Sequence, residues 1–276
     1  MKRKIVSIVL ILIFLTITTI VMLKSYSLLG FHTYAREISN PFLQMLSYSG
    51  IQFVILLEMI IIVYIFAKIS DKESLADIGI KFNKNGLKLF IIGMILAVIA
   101  ALITWLTFLF IHHPQYSIVH KNYLTFIILI VLAFPASLFQ GTMEEIVLRT
   151  WILKKLGKIS NPITAIIIMG IIFGLLHLLF NTEYTIFSSF NAAIVGWVAS
   201  YAYFKSKSVW APAGIHVGWN YFLGVVYGMD FFHVTLNGHR ISQFSGAEAT
   251  VMGCITLLAI GVALYFILKD KKIEMW

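Results

Sequence analysis

The sequence predicts an all-α polytopic membrane protein of eight transmembrane helices with both termini cytoplasmic. Three observations predict it. Sixty per cent of the 276 residues are hydrophobic and only 12% are charged, whereas soluble domains average nearer a quarter charged. Mean hydropathy is +0.92. The apolar residues fall into long runs separated by short polar stretches, the pattern of successive membrane spans. The formal charge of +9 resides in lysines of the inter-helix loops, so membrane topology accounts for it and no nucleic-acid partner is expected. A single cysteine, Cys254, excludes an intrachain disulfide, and its apolar surroundings make it a packing residue.

Span one is the apolar run at residues 5–23 behind Lys2-Arg3-Lys4. It is too long for a signal-peptide core and no Ala-x-Ala site follows, so an uncleaved helix is expected. A loop with Lys24, His32 and Arg36 leads to span two at about 50–67, and a polar linker with Asp71, Glu73 and Asp77 follows. Span three covers about 89–111. Span four begins near Tyr123 and continues helically through residues 141–156, which lack proline and end at Gly157. Span five runs from Ile163 to Phe180, span six over about 186–204, and span seven over about 209–228 with Pro212 tolerated in its first turn. A polar loop at 229–247, holding Asp230, His233, His239 and Arg240 with Glu248 at its edge, precedes span eight at about 249–268. If the N-terminus is cytoplasmic, 17 of the 21 lysines and arginines lie on that side, leaving Lys24, Arg36, Lys121 and Arg240 opposite. Such a bias follows the positive-inside rule, and an error of one span would scramble it. Residues 1–122 are read as three N-terminal helices with a cytoplasmic linker at 68–88, and residues 123–268 as an integrated core.

Within that core, Glu144-Glu145-Ile146-Val147-Leu148-Arg149 follows a long hydrophobic run. Ionisable groups at a membrane segment are expensive and face a bundle interior or a wet cavity, unless the bilayer ends there and the charges are merely interfacial. Adjacent carboxylates on a helix point about 100° apart and disfavour joint ionisation, so the two glutamates take different roles. Arg149 is four residues after Glu145, which favours an ion pair between those two and leaves Glu144 the freer carboxylate. Two further pairs share helix faces by the same spacing: Phe173 with His177, and His216 with Asn220. Gly174 leaves room for a neighbouring helix. Each histidine alone reads equally as a satisfied structural residue. Together, two imidazoles, a carboxylate and an amide offer what water activation needs: ligands or a base, and a donor for a developing oxyanion. Spacing does not show that they converge.

These elements, in this order on successive spans, resemble the CPBP (CAAX protease and bacteriocin-processing) family of intramembrane endopeptidases, which includes the Rce1-type proteases of prenylated proteins. The family is marked by a double glutamate with arginine after three intervening residues, by Phe-x3-His, and by His-x3-Asn. Here these are Glu144, Glu145 and Arg149; Phe173 and His177; and His216 and Asn220. The resemblance covers roughly residues 123–265, and nothing in the motifs departs from the pattern. It implies a CAAX-type metalloendopeptidase of a bacterial cell membrane acting on membrane-anchored proteins or peptides. In that reading Glu144 activates water. His177, His216 and Asn220 either stabilise the transition state or, for the histidines with Glu144, hold a divalent metal, expected to be zinc. Glu145 assists catalysis, and Arg149 and Phe173 position the others. A non-catalytic scaffold or bacteriocin-immunity protein that binds a partner is the alternative. A proton-coupled transporter is a third class, which the lack of repeated halves disfavours.

One expectation is awkward. A helix entered at Ile163 reaches His177 about 21 Å in, whereas His216 lies only about 10 Å below the same surface. Tilt, a re-entrant start or a deep wet cavity would reconcile the two, and a cavity open to the cytoplasmic side is preferred.

Overall fold

A computed structural model describes residues 2–29, 38–119, 122–180, 185–227, 232–236, 238–240 and 247–269. His32, Arg36, Lys121 and Asp230, which entered the topology reading, lie outside them, as do Glu183, Gly246, Lys271 and Lys272. Among the described residues eight helices have eighteen or more residues, and they occupy the eight predicted spans. They are α1 (Lys2–Leu28), α2 (Pro41–Phe66), α3 (Lys84–His112), α4 (Tyr123–Glu145), α6 (Pro162–Phe180), α7 (Ile186–Ser206), α8 (Trp210–Tyr227) and α9 (Ala247–Ile267). A short α5 (Leu153–Ile159) is joined to α4 by a π-helical stretch, Ile146–Ile152. Five stretches are long and apolar enough to cross a membrane: Lys4–Leu28, Pro41–Asp71, Lys84–His112, Tyr123–Ile159 and Pro162–Leu179.

Several helices start where a polar side chain relieves the unpaired N–H groups of the first turn. Asn40 accepts from Phe42 and Leu43 ahead of α2, whose first residue is Pro41, so that helix begins nine residues before the predicted span. Asn83, Asn122 and Asn161 cap α3, α4 and α6 in the same way. Thr185 and Ser188 form a reciprocal capping box on α7. The α4 helix carries Pro135 in its interior and runs on, through the π-helical stretch and α5, to Ile159 rather than stopping at Gly157.

The pairs α3/α8 and α6/α7 are held at close range because glycine removes the side chain at the crossing. A methyl group on Gly214 would sit 2.0 Å from the Phe90 carbonyl oxygen, and one on Gly174 would sit 2.7 Å from the Ser189 carbonyl oxygen. Such backbone approach substitutes dispersion contact for a hydrophobic driving force that lipid does not supply. At one end of the bundle β1 (Gln115–Ile118), β2 (Phe232–Leu236) and β3 (His239–Arg240) form an antiparallel sheet in the order β1-β2-β3, with Gln115 opposite Thr235. Part of the polar loop at 229–247 is thus strand.

At the other end the 67–83 linker is not a loose loop. Its Asp71 takes two 2.8 Å contacts from Lys155 and one from Trp151 Nε1 at 2.8 Å. Glu73 pairs with Lys154 and Lys158, each at 2.9 Å. The basic residues that follow the double glutamate therefore clamp the linker over the bundle. The linker in turn covers the start of α8: Val209 N–H donates to the Gly79 carbonyl, and Trp210 Nε1 donates to that of Lys81. Val209 and Ala211 are buried, whereas Ile163 near the start of α6 is two-thirds exposed. The start of α8 therefore lies beneath the linker.

Candidate active site

Glu144 and Glu145 end α4, and the π-helical stretch that follows carries Arg149 back beside Glu145. Stretches of π hydrogen bonding inside helices recur at functional sites. Arg149 Nε lies 3.1 Å from Glu145 Oε2, and both side chains are fully buried. The approach has ion-pair distance without hydrogen-bond alignment, and Arg149 Nη1 and Nη2 meet no acceptor among the described residues. The guanidinium instead stacks over the Phe173 ring, 4.4 Å from its centroid. The pairing expected from the i,i+4 spacing is therefore present, and Phe173 supports its cation from α6.

The other oxygen of Glu145 holds a histidine. His216 Nδ1 is 2.7 Å from Glu145 Oε1, which assigns the Nδ1 proton to that contact. His177 Nδ1 is 2.9 Å from the carbonyl of Phe173, one turn earlier on α6, which assigns its proton likewise. In its neutral form each ring would therefore turn an Nε2 without a proton to its opposite side. Those two atoms face one oxygen: Glu144 Oε2 lies 3.8 Å from His216 Nε2 and 4.0 Å from His177 Nε2. Three acceptors around one point call for a species that donates protons or carries positive charge. The Phe173 ring packs against both imidazoles, with centroids 4.4 Å from His177 and 5.6 Å from His216.

The donor set is that of zinc chemistry, two imidazoles fixed through their second nitrogens and a carboxylate. Two ligands of one tetrahedral zinc lie about 3.3 Å apart, so the three groups would have to draw together by roughly half an ångström. As placed, no group of three or more His, Cys, Asp or Glu among the described residues forms a metal cage.

Six of the seven residues singled out in the sequence thus meet at one place, although Glu144, His177 and His216 come from three helices. Asn220 lies one turn beyond His216 on α8, half-buried, with no hydrogen bond to the other six among the described residues. Sequence reasoning missed Gln140, whose Nε2 donates to Glu144 Oε1 at 3.3 Å from one turn earlier on α4. The i,i+4 spacing was the available signal. Also missed was the contribution of α1. A cavity of about 230 Å3 opens on Glu144, Gln140 and His177, and one of its walls is Leu15, Thr18, Thr19, Met22 and Tyr26.

A comparison with protein families falls on the same region. Residues 126–222 match the family model described as type II CAAX prenyl endopeptidase Rce1-like, a stretch that contains all seven residues. The chain is also similar to the uncharacterized protein YyaK of Bacillus subtilis (strain 168), with 29% identity over 175 residues. That alignment covers 59% of this chain and 56% of YyaK, so the chain spans little more than half the length of the curated relative it matches.

Proposed function

We propose that this chain, which carries an Rce1-like segment of the type II CAAX prenyl endopeptidase kind at residues 126–222, is an intramembrane endopeptidase that cleaves membrane-anchored proteins or peptides. The observation that carries the reading is that His177 Nε2 and His216 Nε2 both face Glu144 Oε2, and that Glu144 and His177 line a largely apolar cavity. A water held there would donate to Glu144 and to one imidazole.

In this mechanism Glu144 Oε2 takes a proton from that water as its oxygen forms a bond to the substrate carbonyl carbon. The proton passes from Glu144 to the amide nitrogen, the C–N bond breaks, and a carboxylic acid and an amine leave, which exchange a proton to become carboxylate and ammonium. Gln140 holds the second oxygen of Glu144, which fixes the carboxylate plane. Glu145 fixes His216, and Arg149 balances the buried charge of Glu145. Phe173 sets both imidazoles by packing and excludes water behind them. Asn220, on the face of α8 next to His216, is assigned to the oxyanion once substrate is present. Zinc belongs to the proposal as the ion that Glu144, His177 and His216 would hold, where it would polarise the bound water.

The same reading places eight spans across a bacterial cell membrane, with both termini and the clamped linker on the cytoplasmic side, as the distribution of basic residues supports. The test is chemical. The purified chain in vesicles, incubated with a library of peptides bearing an apolar membrane anchor, should release fragments whose new termini mass spectrometry identifies. A well-folded chain that yields no fragment contradicts the proposal.

A further inference from the structure

The side of the cavity facing the catalytic helices is built by a part of the chain outside residues 126–222. Thr18, Met22 and Tyr26 recur at i, i+4 and i+8 on α1, so they form one stripe on one face, and all three line the cavity. The opposite face of α1 is apolar and exposed, with Ile13, Ile17 and Ile20 among its residues. Two polar contacts tie its end to α2: Ser25 Oγ donates to Glu58 at 2.6 Å, and Tyr26 Oη donates to Gln52 at 3.1 Å.

We propose that α1 is the specificity element of this site, and that Thr18, Met22 and Tyr26 select the substrate side chain that lies next to the scissile bond. The inference rests on the peptidase reading above. Its logic is spatial. A carbonyl held at Glu144 and the histidines leaves its neighbouring side chain to occupy the same cavity. Away from Glu144 and His177, that cavity is walled largely by apolar groups such as Met59, Val147 and Leu176, with Thr18, Thr19 and Tyr26 from α1. At about 230 Å3 it is smaller than the roughly 300–1,000 Å3 of sites for drug-sized ligands, so it suits a side chain rather than a larger molecule. Met22 and Tyr26 both stand in its wall, so the size of their side chains bears on how large a residue fits. The ligand class is an apolar side chain of a membrane-anchored peptide.

Two substitutions at one position make the test independent of folding. Met22→Ala widens the cavity and Met22→Phe fills it. Each is reconstituted in vesicles and given the anchored-peptide library, randomised around its centre. The readout is the ratio of kcat/KM for peptides with a large residue (Phe) against a small one (Ala) next to the cleaved bond. Because active fraction cancels in the ratio, partial misfolding does not imitate a change. Met22→Ala is expected to raise the ratio and Met22→Phe to lower it, each by roughly tenfold or more, the scale on which an apolar pocket discriminates by a few methylene groups. Tyr26→Phe keeps the shape but loses the contact to Gln52. It should raise KM with little change in kcat, because it loosens the wall and not the chemistry. Ratios that stay at the wild-type value in both Met22 variants, while the wild type cleaves, overturn this inference alone. A wild type that cleaves no peptide overturns the peptidase reading and this inference with it.

Discussion

Removing the charge of Glu145 should damage the protein more than its distance from the water would imply. Glu145 is fully buried between two partners, Arg149 at 3.1 Å and His216 Nδ1 at 2.7 Å. Glu145→Gln keeps the size and one acceptor oxygen but leaves a fully buried guanidinium without a countercharge. Breaking a buried ion pair from one side costs about 3–5 kcal/mol, because the stranded charge keeps its desolvation penalty. The hydrogen bond to His216 also falls from the charge-assisted range of about 1.5–3 kcal/mol toward the neutral value of about 1 kcal/mol. The expected loss is therefore several kcal/mol, read as a lower midpoint when the chain is unfolded by detergent in mixed micelles and followed by tryptophan fluorescence. Arg149→Met together with Glu145→Gln removes both charges and keeps the packing against Phe173, so the double variant should recover a large part of that loss. Such a coupling energy, at the upper end of the ~0.5–3 kcal/mol seen for contacting residues, is the signature of the pair. An unchanged midpoint in Glu145→Gln, or simple additivity in the double variant, would refute this account of how the site is held.

Gly214→Ala should prevent accumulation of the chain, because a methyl group there meets the Phe90 carbonyl oxygen at 2.0 Å, whereas Gly50→Ala, with nothing within 4 Å, should be tolerated; immunoblots of membrane fractions decide. Reporter fusions should place the 68–88 linker, residues 151–160 and the C-terminus in the cytoplasm, and a fusion within 229–247 reporting from that same side would remove the eight-span topology. Chelation should abolish peptide cleavage and zinc should restore it, with elemental analysis near one zinc per chain; active chain that is free of metal and indifferent to chelators would end the zinc assignment while leaving the two histidines in the site.

Much of this arrangement is legible along single helices and little of it between them. The spacing of Glu145 and Arg149 gives their pairing because i,i+4 neighbours meet on any helix. The same rule brings Phe173 against His177, and its application to Gln140 would have found the residue that holds Glu144. Interhelical distance has no such rule. That His177 and His216 reach one carboxylate oxygen depends on how α4, α6 and α8 pack together, which spacing along a single helix does not encode. The linker that covers the start of α8 is hidden as well. Asp71 and Glu73 look like loop residues in the sequence because their partners, Lys154, Lys155 and Lys158, are about eighty positions away. The role of α1 is hidden for a related reason. Its composition is mostly that of a lipid-facing span, and nothing in it marks Thr18, Met22 and Tyr26 as cavity-lining residues.

The central claim is that Glu144 is the base that activates water. Its most direct test is the turnover of Glu144→Gln on a membrane-anchored peptide that the wild-type chain cleaves, with abundance in the membrane as control. The substitution keeps the side chain's size and its contact with Gln140 but removes the negative charge. The account predicts a fall of roughly 100- to 10,000-fold in kcat, the contribution of a positioned general base, at undiminished abundance. Cleavage at close to the wild-type rate would contradict it.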